Sequence, residues 1–150
     1  MEEFDSIEEV LDFAIDRETE SNLFYADLAK HTDNAAMRKV FENFAMEELG
    51  HKAKLEAMKA GKLAVSPREI SNLKLADYVV DVEPKPDMGY QNALIMAMEK
   101  EKAAFHLYID LAAAVEDNGQ KATFLLLAQE EAGHKLRFEI EYDDMILKEN

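Results

Sequence analysis

Apolar residues recur along most of this chain at helical spacing. Ile7, Val10, Leu11, Ala14, Ile15, Tyr25, Leu28 and Ala29 form one stripe with the period of an α-helix. Ser6 and Glu9 stand at its head as a capping box, in which the hydroxyl accepts the Glu9 amide and the carboxylate reaches back. The spacing predicts a first helix over about 6–31, with His31 in its last turn, where positive charge suits the helix dipole. Thr32-Asp33-Asn34 reads as a short turn. A second helix carries Val40, Phe41, Phe44, Ala45, Leu55 and Met58, and Gly61 is a natural stop. A third runs from near Asp87 through Leu94, Ala97, Met98, Phe105, Tyr108, Leu111 and Ala112 to near Glu116. After the turn signal Asp117-Asn118-Gly119, a fourth carries Phe124, Leu127, Ala128, Phe138 and Ile146 almost to the C-terminus.

The stretch between the second and third helices breaks this rhythm at Pro67, Pro84 and Pro86, while Ile70, Leu73, Leu75, Tyr78 and Val79 predict one short helix within it. So long a connection is uncommon in a compact domain unless it has work to do. A crossover between two helical hairpins supplies that work, as in ferritin-like bundles. The expected fold is all-α: a ferritin-like four-helix bundle built from two related hairpins, about 6–61 and 87–148, with a long crossover, about 62–86, between helices 2 and 3. The 150 residues are expected to form a single domain.

The two hairpins are copies. Ala14, Glu18, Tyr25, Asp27, Leu28 and Ala29 recur 83 residues later as Ala97, Glu101, Tyr108, Asp110, Leu111 and Ala112. Phe41, Ala45, Glu47, Glu48, Gly50, His51, Lys52 and Glu56 recur at the same offset as Phe124, Ala128, Glu130, Glu131, Gly133, His134, Lys135 and Glu139. Two copies are too few for a solenoid, which needs at least three. They suit one bundle with pseudo-twofold symmetry. A symmetric site in such a bundle needs each ligand twice, so the recurring polar residues are the ones to weigh.

Composition narrows the chemistry. A formal charge of −15 argues against nucleic acid and against anionic membrane surfaces. With no cysteine, there is no disulfide, thiolate site, iron–sulfur cluster or cysteine nucleophile. The acidic start Met-Glu-Glu-Phe-Asp lacks the apolar core of a signal peptide, and no run is apolar for long enough to span a bilayer. A cytoplasmic protein is expected.

Four of the acids fall on core-facing positions, one per predicted helix. Glu18 lies among Leu11, Ala14, Ile15 and Tyr25, and Glu48 among Phe41, Phe44, Ala45 and Leu55. Glu101 lies between Ala97 and Phe105, and Glu131 between Phe124, Ala128 and Phe138. By contrast, Glu47 and Glu130 read as solvated. Burying one unpaired carboxylate costs several kcal/mol, and four close together also repel. Two divalent cations cancel four negative charges. Glu48 with His51 and Glu131 with His134 each form Glu-x-x-His, a spacing that lets both side chains reach one cation from one helical face. One Glu from each of two helices plus Glu-x-x-His from each of the others is the dinuclear ligand count of ferritin-like bundles. This oxygen and nitrogen donor set suits iron or manganese, and zinc can also bind. Tyr25 and Tyr108 each follow a candidate ligand by seven residues on the same face, placed either to hydrogen-bond ligand carboxylates across the bundle or to serve as core tyrosines. His31 and His106 do not recur as partners and read as surface or helix-end residues.

At these residues the sequence resembles the rubrerythrin family of ferritin-like di-iron proteins. The resemblance covers all four helices, through Glu18 with Tyr25, Glu48-x-x-His51, Glu101 with Tyr108, and Glu131-x-x-His134. It implies two iron ions per chain, bridged by Glu48 and Glu131, with Glu18 and His51 terminal on one and Glu101 and His134 on the other. Two departures stand out. Rubrerythrins proper carry a further glutamate three residues after the helix-3 ligand, where this chain has Ala104. They also commonly carry a cysteine-bound, rubredoxin-like iron module, for which these residues hold no cysteine.

The resemblance implies a non-haem di-iron oxidoreductase that reduces hydrogen peroxide or dioxygen with electrons from an external donor. Two other readings stand beside this peroxidase: a ferroxidase that binds or stores iron, and a metal-stabilised interaction module without turnover. A homodimer is the simplest expected assembly.

Overall fold

The computed structural model describes residues 4–61, 65, 67–80 and 89–149. Among them the regular structure is helical: α1 (Ile7–Lys30), α2 (Ala35–Gly61), α3 (Pro67–Asn72), a 3₁₀ turn (Leu75–Asp77), α4 (Tyr90–Ala114) and α5 (Asn118–Glu149). The chain divides into two compact units, Glu3–Asn72 and, in the main, Leu73–Asn150. Each contains one long helical hairpin, α1 with α2 and α4 with α5. No helix of the described residues is long and apolar enough to cross a membrane.

In the first unit, Ser6 caps α1 by accepting the Glu9 amide at 3.2 Å, and the Glu9 carboxylate returns to the Asp5 amide at 2.8 Å. The capping box is thus realised, with the return bond one residue earlier than the motif specifies. The inner stripe of α1 buries Val10, Leu11, Ala14, Tyr25 and Ala29. It packs in a hairpin with α2, which buries Met37, Phe41, Ala45 and Leu55. Ile15 and Phe44, on the edges of these stripes, are half-buried. His31 sits just past the last turn of α1, exposed, with Nδ1 2.9 Å from the Asp27 carbonyl.

In the second unit, α4 buries Leu94, Ala97, Leu107, Tyr108, Leu111 and Ala112. Phe124, Leu127, Ala128 and Phe138 are buried on α5. The sequence repeat persists in detail. Asn34 accepts the Met37 amide at 3.0 Å and Asp117 accepts the Gln120 amide at 2.9 Å, so equivalent residues of the repeat cap α2 and α5. Arg38 donates to the Thr32 carbonyl at 3.0 Å, and its counterpart Lys121 donates to the Ala112 carbonyl at 2.7 Å. Both therefore satisfy backbone acceptors where the preceding helix ends.

Two features differ from the sequence expectation. Among its described residues the connection holds two short elements in place of one helix, α3 and the 3₁₀ turn. Pro67 opens α3 at its first position, where a missing N–H costs nothing. Helix α4 ends at Ala114, because Val115 adopts an extended conformation (φ −80°, ψ 148°). The expected helix start near Asp87 lies outside the described residues, which resume at Gly89.

Tyr78, just after the 3₁₀ turn, is buried and donates its hydroxyl to Asp110 on α4 at 2.7 Å. This gives one of the two recurring aspartates a role. Burial and the Asp110 carboxylate push the Tyr78 hydroxyl pKa well above its ordinary value. A pKa higher in the folded than in the unfolded chain confers stability that is complete below about pH 10 and lost as pH rises beyond it. Tyr78→Phe should lower Tm by roughly 2–4 °C at neutral pH, the effect of about one hydrogen bond in a chain of this size. It should also flatten the alkaline limb of stability, measured by thermal melts between about pH 7 and 11.

Candidate metal centre

Each unit brings three of the predicted ligands together. In the first, α1 supplies Glu18 and α2 supplies Glu48 and His51. All three are at least 98% buried, on inner faces otherwise made of Leu11, Ala14, Phe41, Ala45 and Leu55. The His51 Nδ1 lies 3.6 Å from Glu18 Oε2 and 3.5 Å from Glu48 Oε1. The second unit repeats the arrangement, with Glu101 on α4 and Glu131 and His134 on α5. There the His134 Nδ1 lies 3.5 Å from Glu101 Oε1 and 3.9 Å from Glu131 Oε1.

These separations fit a shared cation. An N–H···O hydrogen bond is about 2.7–3.2 Å long. Two atoms each about 2.1 Å from one ion are about 3.0 Å apart at right angles and about 4.2 Å apart when opposite. The four imidazole–carboxylate distances fall within that window. Within each triad a ligand atom from every residue lies within 4.8 Å of the others. The donor set, two carboxylates and one neutral imidazole, is one that binds iron, manganese or zinc. The residues of each triad therefore fit a metal, and buried Glu and His side chains of this kind fit a di-iron site.

Helical geometry explains the convergence. Glu48 and His51, like Glu131 and His134, are three residues apart and so project from one face of one helix. The third ligand comes from the neighbouring helix of the same hairpin. Neighbouring positions point elsewhere: Glu47 is exposed, while Glu130 is half-buried, not solvated as its sequence position suggested. His31 and His106 are exposed and belong to neither triad. Ala104, one turn after Glu101, is half-buried and offers no oxygen ligand.

Tyr25 and Tyr108 are fully buried. The Tyr25 ring meets Phe44 edge-on with centroids 6.3 Å apart, and Tyr108 stacks on Phe124 at 6.4 Å. One brace escaped the sequence reading. The Asn22 amide, one turn from Glu18, donates to the Ala45 carbonyl at 2.7 Å and ties α1 to α2 close to Glu48. Its counterpart in the second half is Phe105, so a search for recurring polar residues passes over it.

The fold is all-α and ferritin-like. The rubrerythrin family matches residues 9–142. The chain belongs to the rubrerythrin family. Among solved structures it is similar to a ferritin-like diiron-carboxylate protein from Thermotoga maritima, with a TM-score of 0.80 and 21% identity, covering 97% of this chain and 99% of that one. It is also similar to a hypothetical protein from Pyrococcus furiosus, with a TM-score of 0.70 and 27% identity over 92% of this chain and 89% of the other. No curated protein matches the sequence at a significant level.

Proposed function

We propose that the two triads share one dinuclear iron centre, and that the protein is a non-haem oxidoreductase reducing hydrogen peroxide, or dioxygen, with electrons from an external donor. The observation that carries this reading is the duplicated triad, in which Glu18, Glu48 and His51 are matched by Glu101, Glu131 and His134, all buried. When bound, two ferrous ions supply one electron each, enough with two protons to convert one hydrogen peroxide to two waters. The protein side chains do the rest. Glu48 and Glu131 would bridge the metals, Glu18 with His51 and Glu101 with His134 would complete each position, and four carboxylates would balance two divalent charges. The apolar inner faces keep bulk water from the ligands, which strengthens every charge interaction among them. The buried Tyr25 and Tyr108 hydroxyls would hold ligand carboxylates in orientation.

Metal analysis of protein loaded anaerobically with ferrous iron tests this, followed by spectroscopy on adding peroxide. About two irons per chain and the rapid appearance of ferric absorption with consumption of peroxide are expected. Fewer than about two irons, or no ferric signal, would sink the proposal. Iron that is oxidised and then accumulates far beyond two per chain would favour the ferroxidase reading, and tight zinc binding without redox response the interaction module.

The two histidines should act on different ions. His51→Ala is expected to weaken one iron by about ten- to a hundredfold and leave the other nearly intact, so that a metal titration becomes biphasic. His134→Ala should do the same to the opposite site. A uniform loss of both ions in either variant would contradict this assignment.

A further inference from the structure

Helix α1 carries one buried hydroxyl that the packing leaves unused. Its inner stripe runs through Leu11, Ala14, Glu18, Ser21 and Tyr25. Ser21 stands one turn after Glu18 and one turn before Tyr25, so the three share one face. Side chains lean toward the N-terminus of their helix, which tilts Ser21 toward the turn of Glu18. A hydroxyl within a helix can turn back onto the carbonyl four residues earlier. Thr19 does so with Ile15 and Thr123 with Gly119, each at 3.1 Å, and Thr32 does so with Leu28. Ser21 makes no hydrogen bond among the described residues. Such a buried group is uncommon, because it forfeits its bonds to water and gains nothing in return. The repeat shows that the fold does not require it: the equivalent residue of α4 is Ala104. Its neighbour Asn22, by contrast, is committed to the Ala45 carbonyl. The stripe is also least sealed here. Ser21 keeps 8% of its surface open, against 2% for Glu18 and none for Tyr25.

Resting on the iron reading above, we propose that Ser21 is a substrate-binding residue, whose hydroxyl accepts an O–H of hydrogen peroxide beside Glu18 and His51 and so selects peroxide over dioxygen. A serine hydroxyl both donates and accepts. Hydrogen peroxide does the same, through two O–H groups and the lone pairs of its oxygens, so the two can bond in either sense. Dioxygen has no O–H to give. A site that hydrogen-bonds a substrate hydroxyl discriminates against a molecule lacking it, because the buried group is then left unpaired. Ala104 offers no such group, which assigns the contact to the triad of Glu18, Glu48 and His51.

The test compares Ser21→Ala with the parent and with Thr19→Ala, which removes a hydroxyl already bonded to the backbone. Each protein is loaded anaerobically with ferrous iron, its iron content is measured, and its oxidation by hydrogen peroxide and by dioxygen is followed by stopped-flow absorption. Ser21→Ala should keep about two irons, slow oxidation by peroxide about five- to tenfold, the effect of one hydrogen bond, and leave oxidation by dioxygen within about twofold. Thr19→Ala should match the parent with both oxidants. Without metal, Ser21→Ala should melt no lower than the parent, since no internal bond is lost and alanine is the better helix former. With about two irons in the parent, the role of Ser21 alone is overturned by equal slowing with both oxidants, by no slowing with peroxide, by loss of iron from Ser21→Ala, or by a metal-free Tm lower by more than about 2 °C. Fewer than about two irons in the parent would overturn the centre itself, and the role of Ser21 with it.

Discussion

Replacing Glu48 by alanine should leave the protein able to hold no more than about one iron per chain, against about two in the parent. As a proposed bridge, Glu48 touches both ions, so its loss removes a bond from each and the charge balance of the pair. Its position supports such a demand: it is 99% buried, and its Oε1 lies 3.5 Å from the Nδ1 of His51 one turn away. Glu131→Ala should behave alike, because Glu131 holds the equivalent place beside His134. The isosteric Glu48→Gln separates binding from packing, since it keeps the volume and removes the charge. In metal-free protein it should raise stability by about 1–3 kcal/mol, because a buried carboxylate carries a desolvation cost that a buried amide largely avoids. For a chain of this size that is roughly 2–4 °C in Tm per kcal/mol. Metal analysis and paired melts of apo and loaded protein measure both effects. Two irons retained by Glu48→Ala would remove Glu48 from the bridging role.

Stripping the metal from the parent protein should produce the largest change in stability of all. Each site filled at about a thousandfold above its dissociation constant adds about 4 kcal/mol to the folded state. Two sites add roughly twice that, and chelation should lower Tm by roughly 15–30 °C. The buried triads give the physical reason. Glu18, Glu48, Glu101 and Glu131 are excluded from water whether or not a cation is present, so without one they oppose the apolar packing around them. The shift should disappear in a variant lacking both Glu48 and Glu131. A chelated parent that melts within about 3 °C of the loaded protein would show that the carboxylates are not metal-supported.

The same residues bear on reactivity. Ala104 leaves the second unit without the extra carboxylate of rubrerythrins proper, so the two triads are more nearly equivalent in this chain. The proposed oxidoreductase accordingly rests on six ligands, three per hairpin.

The burial of the two Glu and His triads was legible in the sequence. An α-helix is a local structure, and its 3.6-residue period places Glu18, Glu48, Glu101 and Glu131 on inward faces from their apolar neighbours alone. The repeat then singled them out, because Glu48/His51 and Glu131/His134 recur while His31 and His106 do not. Other features needed coordinates. Asn34 and Asp117 read as turn residues, yet cap α2 and α5, since capping depends on where the next helix begins. The connection was expected to hold one helix and its described residues hold two short elements, because burial of Ile70, Leu73 and Tyr78 decides where those few residues turn. Asn22 was passed over because its partner is a backbone carbonyl on another helix.

Period and duplication therefore point to the helices, the hairpins and the six polar side chains that prove buried, all of which depend on residues a few positions apart or on an offset within the chain. The distance from His51 to Glu18, on a different helix, was not available from them. Nor was the half-burial of Glu130, which its sequence position placed in solvent. Both depend on contact between residues far apart in the chain, which a local period does not report.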